Sequence, residues 1–263
     1  MIIDFHTHIF PEALAAKTLP KLQRYVNVPF YTEGTAEALK RSMNEAGIDI
    51  SVTLPIVTRP GTSRSINDYA ATQAKRFGFV SFGSVHPEEN NWRDELRRFH
   101  ELGLAGLKLH HDYQGFRFDS KENYALIEAA FEEGLPVLVH AGYDPASPYT
   151  HRCTVDMIAE ALPLLRQGVF IAAHLGGHLT LEKSMRSLLG SDIYIDISMG
   201  EVFYPREYVK RAILSHDPDR ILFGTDSPWD SQKHAVDTLR AMRLGEELEK
   251  KIFETNARRI LHI

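Results

Sequence analysis

The chain has 263 residues, the length of one typical (β/α)₈ barrel and enough to bury a large core without staples. Its 43% hydrophobic and 25% charged fractions are those of a soluble globular protein, its formal charge of −5 leaves no basic footprint for nucleic acid, and the lone Cys153 excludes an internal disulfide. No apolar run approaches the roughly 20 residues that span a bilayer, and the start Met-Ile-Ile-Asp-Phe-His lacks the features of an export signal, so a cytoplasmic protein is expected.

The first strand signal covers residues 2–8. A long connection over 11–35 follows, of the kind that forms lids or binding loops. A helix is predicted over 36–46, stopped by Gly47, and then a strand over 50–56. A helix over 64–77 stops at Gly78, and strands follow at 79–85 and 104–110. Ser120 opens a helix over 120–133 that ends at Gly134, ahead of a strand over 136–141. Pro163 breaks the helix expected over 154–167. Strands are predicted at 169–174, 193–198 and 221–226, with helices at 205–216, 231–243 and 246–261. Several strands, such as FVSFGSV and VFIAAH, are almost continuously apolar, as strands buried on both faces of a parallel sheet are. Eight strands alternating with helices indicate an α/β fold, read here as a distorted (β/α)₈ barrel. No linker or repeat divides the chain, so one domain over 1–263 is expected.

The residues able to hold a metal fall at the ends of these strands. His6 and His8 end the first, Lys108 and His110 the fourth, His140 the fifth, His174 the sixth and Asp226 the eighth. Barrel enzymes build their active sites at the C-terminal ends of the strands. Side chains alternate along a strand, so His6 and His8 share a face, with Ile3, Phe5 and Thr7 expected on the other, against helices. Lys108 and His110 likewise share a face, with Leu107 and Leu109 opposite. Three histidines and one carboxylate suit zinc, and also iron or manganese. Bound water on such an ion becomes available as hydroxide near neutral pH.

Several segments recur in order along nearly the whole chain: I-D-F-H-T-H at 3–8, G-L-K-L-H at 106–110, P-V-L-V-H-A-G at 136–142, I-A-A-H-L-G-G at 171–177, I-L-F-G-T-D-S-P-W at 221–229 and N-A-R-R-I-L at 256–261. In this arrangement the sequence resembles the amidohydrolase superfamily, and most of all the branch that includes aminocarboxymuconate-semialdehyde decarboxylase. The resemblance implies a metal at the C-terminal mouth of the barrel, with His6, His8, His140 and Asp226 as its ligands. It implies a catalytic place for His174 near the bound water and, in hydrolytic members, a second role for Asp226 as general base. Lys108 matches the position at which binuclear members carry a carbamylated lysine between two metals. One ion, zinc foremost, is expected. Two ions are expected if Lys108 is carbamylated, with His174 then ligating the second. A charged Lys108 would instead pair with a substrate carboxylate or with Asp226. His110, Tyr143 and Arg152 are candidate substrate contacts, and His111, His151, His178 and Trp229 are further residues near the expected mouth.

The leading function on this basis is hydrolysis of a small ester, lactone or amide by metal-activated water. The alternative is non-oxidative decarboxylation of an unsaturated or aromatic carboxylic acid. A TatD-type nuclease shares the His-x-His opening but places a glutamate where this chain has Lys108. A non-catalytic metal-binding protein would have no need of His174. The expected partner is a small molecule, with neither nucleic acid nor membrane, and a homodimer is common among such barrels.

Overall fold

The computed structural model describes residues 1–147 and 151–263. All eight expected strands are present: β1 (Ile3–Thr7), β2 (Ile50–Thr53), β3 (Val80–Ser81), β4 (Leu107–Leu109), β5 (Val137–Val139), β6 (Phe170–Ala172), β7 (Tyr194–Asp196) and β8 (Ile221–Leu222). They pair in parallel and in chain order, β1 to β3 in one run and β4 to β8 in another. Short runs of backbone hydrogen bonds join the two sets into a ring. Gly83 bridges Leu107, and Lys108 N donates to Gly83 O at 2.8 Å, linking β3 to β4. Thr7 bridges Ser227, and Asp226 N donates to His6 O at 2.8 Å, linking β8 back to β1. The result is a (β/α)₈ barrel with irregular closures.

Local chemistry sets the helix ends. Thr35 and Ser120 accept from the backbone N–H three residues on, at 3.2 Å each, and so open the helices Ala36–Ala46 and Lys121–Glu132. Gly47 and Gly78 close their helices in the left-handed conformation, with φ of 70° and 72°. The segment expected to break at Pro163 does so, as helices Val155–Glu160 and Leu162–Leu165. The connection over 11–35 corrects the expectation of an irregular loop. It carries a helix, Glu12–Val26, with Pro20 inside it. Ala15, Leu19, Leu22 and Val26 recur at helical spacing, and Pro20 masks that pattern in the sequence. Helix Trp92–Leu102, with Leu96 and Phe99 buried, and the short helix Leu181–Ser187 complete layers that the sequence reading left unassigned. Among the described residues no helix is long and apolar enough to cross a membrane.

The barrel has two apolar layers. Leu107, Leu109, Val137 and Val139 point outward and pack with Leu126, Ile127 and Phe99 from the surrounding helices. Inside, Ile3, Phe5, Val52, Phe82, Leu138, Ile171 and Leu222 fill the lower half. Phe5 meets Phe82 edge to face, with ring centroids 5.8 Å apart. This corrects the facing expected for β1, where Ile3 and Phe5 lie inside. The cause is a bulge. Asp4 pairs with Ser51 and Thr7 with Thr53, so β1 spends an extra residue across the same stretch of β2. Phe5 and His6 therefore both reach the interior side, and a bulge of this kind re-aims a side chain beside a site. Asp4 turns outward and accepts hydrogen bonds from Thr225 Oγ1 and Gln232 Nε2, both at 2.7 Å.

Candidate metal centre and pocket

Three side chains converge where β8 closes onto β1. His6 Nε2 lies 3.3 Å from His8 Nε2, and Asp226 Oδ1 lies 3.3 Å and 3.1 Å from those two nitrogens. The far nitrogen of each imidazole assigns its tautomer. His6 Nδ1–H donates to Asp196 Oδ2 at 2.8 Å, and His8 Nδ1–H donates to Leu54 O at 2.8 Å. Both Nε2 atoms then carry bare lone pairs, and they face a carboxylate oxygen. Three acceptors with no proton between them repel one another, and a cation at their centre removes that repulsion. Burial, the largest effect, drives the His6 imidazole below its ordinary value, although Asp196 opposes it. Burial alone would raise the Asp226 carboxyl, yet it stays below the usual carboxylate range, because any proton the cluster took up would sit on His6 or His8 and favour the ionised carboxylate by its charge. Neutral imidazoles and an ionised carboxylate are the forms a divalent ion needs.

A second chain of hydrogen bonds leads to His140. Ser198 Oγ–H donates to Asp196 Oδ1 at 2.5 Å, which leaves its oxygen to accept from His174 Nδ1–H at 2.8 Å. His174 Nε2 is then bare and accepts from His140 Nδ1–H at 3.1 Å. His140 Nε2 is left as a buried lone pair with no partner. Asp196 anchors both arms of the site, since it also accepts from the His174 backbone N–H at 3.0 Å. Burial holds the His140 and His174 imidazoles well below their ordinary values, and the neighbouring imidazoles add to the effect. An orphaned nitrogen beside a proton-free cluster of two nitrogens and an oxygen fits a divalent cation. The fit is tightest for His6, His8 and Asp226. His140 falls instead in a neighbouring group with His110 and Asp144, whose donor atoms lie within 4.8 Å of one another.

These groups open into a pocket of about 800 Å³ that Lys108, His110, His174, His178 and Trp229 also line. Lys108 is 1% exposed, and burial pulls its ammonium down to about 8 while Asp226 and Asp196 resist. No ion pair joins it to Asp226 among the described residues. His110 Nε2–H donates to Asp144 Oδ2 at 3.1 Å, and its ring is sandwiched between Tyr113 (3.9 Å) and His140 (4.3 Å). Gly142 makes room for His178. A Cβ there would lie 2.3 Å from the His178 backbone nitrogen, in a bridge that joins the end of β5 to the loop after β6.

The other sequence candidates lie elsewhere. Tyr143 and Arg152 do not line the pocket. Tyr143 meets His151 at a tilt, with ring centroids 5.4 Å apart, and Arg152 Nη1 donates to Gly115 O at 2.7 Å. His111 turns into the helix layer, where its Nε2 pairs with Asn123 Oδ1 at 2.9 Å. Sequence reasoning passed over Asp196, Ser198, Asp144 and Arg59. Asp196 carried a readable signal, because Y-I-D ends β7 as the other candidates end their strands. Asp144 and Arg59 lie on connections, where strand alternation gives no register.

Comparison with known proteins agrees with this architecture. A family model described as amidohydrolase matches residues 3–263. No curated protein matches the chain. Among solved structures, the 2,6-dihydroxybenzoate decarboxylase from Rhizobium superposes with a TM-score of 0.74 at 19% identity, over 99% of this chain and 98% of that one. The 5-carboxyvanillate decarboxylase from Sphingomonas paucimobilis gives 0.70 at 16% identity, over 100% and 99%. A dihydroxybenzoic acid decarboxylase from Polaromonas sp. JS666, with bound manganese and the inhibitor 2-nitroresorcinol, gives 0.71 at 20% identity, over 99% and 96%. At these identities the likeness establishes the TIM-barrel fold, and the family match covers almost every residue. The chain belongs to the amidohydrolase family.

Proposed function

We propose that the protein is a metal-dependent, non-oxidative decarboxylase of a hydroxylated aromatic or similarly unsaturated carboxylic acid. The observation that carries this reading is Lys108, a buried ammonium with no ion-pair partner among the described residues, facing the same pocket as the bare nitrogens. Burying a lone cation is costly, and a substrate carboxylate would offset that cost. An ester, lactone or amide would not. Full-length likeness to decarboxylases of aromatic acids supports the same choice over hydrolysis, which the motifs alone had placed first.

His6, His8, Asp226 and His140 would hold one divalent ion. Zinc suits the three nitrogens and one oxygen, and manganese, found in similar structures, is the alternative. The ion supplies Lewis acidity that orients the acid and its neighbouring hydroxyl. Lys108 binds the carboxylate as an ammonium rather than as a carbamate. The carbon–carbon bond to that carboxylate breaks, carbon dioxide leaves, and the electron pair left on carbon takes up a proton. His174 is assigned to relay that proton, through the hydrogen bonds that tie it to His140 and Ser198. A small acid, not nucleic acid, is the partner. Net charge −5 and a pocket whose inner cation stands unpaired both favour it.

The test is direct. Zinc- or manganese-reconstituted protein is incubated with 2,6-dihydroxybenzoate and related hydroxybenzoates, and released carbon dioxide is measured beside an ester and lactone panel. Carbon dioxide release that is lost in Lys108→Met supports the reading. Turnover of esters or lactones with no carbon dioxide from any acid overturns it in favour of hydrolysis.

A further inference from the structure

The pocket is larger than a single-ring acid needs. Its volume of about 800 Å³ lies toward the upper end of what drug-sized ligands fill, roughly 300–1,000 Å³. Its polar inner end holds the bare nitrogens and Lys108. Its outer half has a different character. Leu22, Val26 and Val28 reach in from the N-terminal helix and the residues after it, and Ile56 and Ile66 face the pocket from beyond β2. Apolar walls of this kind bind carbon, and each methylene they bury strengthens binding by up to about fourfold.

At the rim of this annex stands Arg59. Its guanidinium has no hydrogen bond, ion pair or ring contact among the described residues. The loop that carries it is firmly built. Buried Glu89 Oε1 accepts from the backbone N–H of Gly61, Thr62 and Ser63 at 2.8, 3.2 and 3.1 Å, and from Ser63 Oγ at 2.7 Å. Thr62 Oγ1 donates to Arg59 O at 2.8 Å. A carboxylate here satisfies the exposed N–H groups of the helix that begins at Ser63, and so holds the backbone that follows the arginine. The pocket's own acids lie at the inner end, Asp226 against His6 and His8, and Asp144 hydrogen-bonded to His110. An unpaired guanidinium on a well-held backbone is left over, and it lines the same pocket as Lys108 and the apolar side chains named above.

We propose that the natural substrate is an elongated acid. One end is the carboxylate that reacts at the inner site, the middle is an apolar arm lying along the N-terminal helix, and the far end is a second anionic group paired with Arg59. This rests on the decarboxylase reading for the reacting end only, because the annex and Arg59 would select the same arm and anion for any reaction at the inner site. Glu89 acts as a positioning residue for Arg59.

The test uses 2,6-dihydroxybenzoate and a series bearing, at the ring position opposite the reacting carboxylate, alkyl arms of increasing length that end in a carboxylate or in its methyl ester. Affinities are measured by calorimetry on the purified protein, and kcat/KM by carbon dioxide release. Affinity is expected to rise with each methylene until the arm reaches Arg59. At that length the acid should exceed the ester by about three- to tenfold, a modest factor because the guanidinium is exposed. Arg59→Ala should close the gap between acid and ester, Arg59→Lys should restore part of it, and Glu89→Gln should narrow it. Equal affinity for parent and arm-bearing acids overturns the proposal, and so does an acid–ester difference that survives in Arg59→Ala. If arm-bearing acids bind as expected yet release no carbon dioxide, the decarboxylase reading fails and the elongated-ligand inference stands.

Discussion

The inner mouth of the barrel and its N-terminal flank solve different problems. At the mouth, polar side chains stand on strand ends and hold one another in fixed protonation states, Asp196 through His6, Ser198 and His174 above all. The polar atoms left over are those aimed at a ligand, namely the Nε2 atoms of His6, His8 and His140 together with Lys108. On the flank, helix Glu12–Val26 is anchored chiefly by buried Ala15 and Leu19 and leaves Leu14 and Tyr25 about half exposed, at 49% and 57%. In the proposed function the mouth does the chemistry and the flank sorts molecules, since a reacting geometry tolerates little displacement whereas apolar contact tolerates much.

The sharpest way to break this contrast is at the centre of the mouth. Asp226→Ala should abolish turnover and cut bound metal, read by metal analysis beside circular dichroism, with the barrel intact. Wild-type activity in that variant would show that the three-atom cluster is not the reaction centre. A smaller effect is expected one step out. Asp196→Asn presents an amide to His6, turns that imidazole to its other tautomer and protonates Nε2. Metal affinity measured against a chromophoric chelator should fall about 10- to 100-fold, and unchanged affinity would break the tautomer argument.

The smallest effect is expected outside the site. Burial lowers His111 to about 3, and no charge reaches it from a hydrogen-bonded partner, since Nε2 meets the Asn123 amide. The folded protein therefore refuses a proton that the unfolded chain accepts at its ordinary value of 6.5. Stability from this residue is complete above that value and declines as pH falls toward the depressed one. Melting temperature followed across that range should drop more steeply in the wild type than in His111→Gln, and identical acid limbs would remove His111 from the account.

The order of elements, the eight strand positions and most helix ends were legible in the chain, because each rests on neighbouring residues. An apolar run bounded by polar turns, a threonine or serine at a helix start and a glycine at its stop act locally. Strand alternation also placed Lys108 and His110 correctly against Leu107 and Leu109. It failed on β1, where pairing with β2 forces a bulge and brings Phe5 inside with His6. Helical spacing failed at Glu12–Val26, where Pro20 masks it.

The sequence alone determined which residues could meet a metal and that they stand at strand ends, because side-chain chemistry and period-two alternation are properties of the chain itself. The tertiary structure decided which of them meet. Ring closure sets Asp226 against His6 and His8, the packing of β6 and β7 lines up Asp196, Ser198, His174 and His140, and the helix after β1 sets the depth and apolar lining of the pocket. These outcomes depend on distances between residues more than two hundred positions apart, and no local pattern encodes such distances.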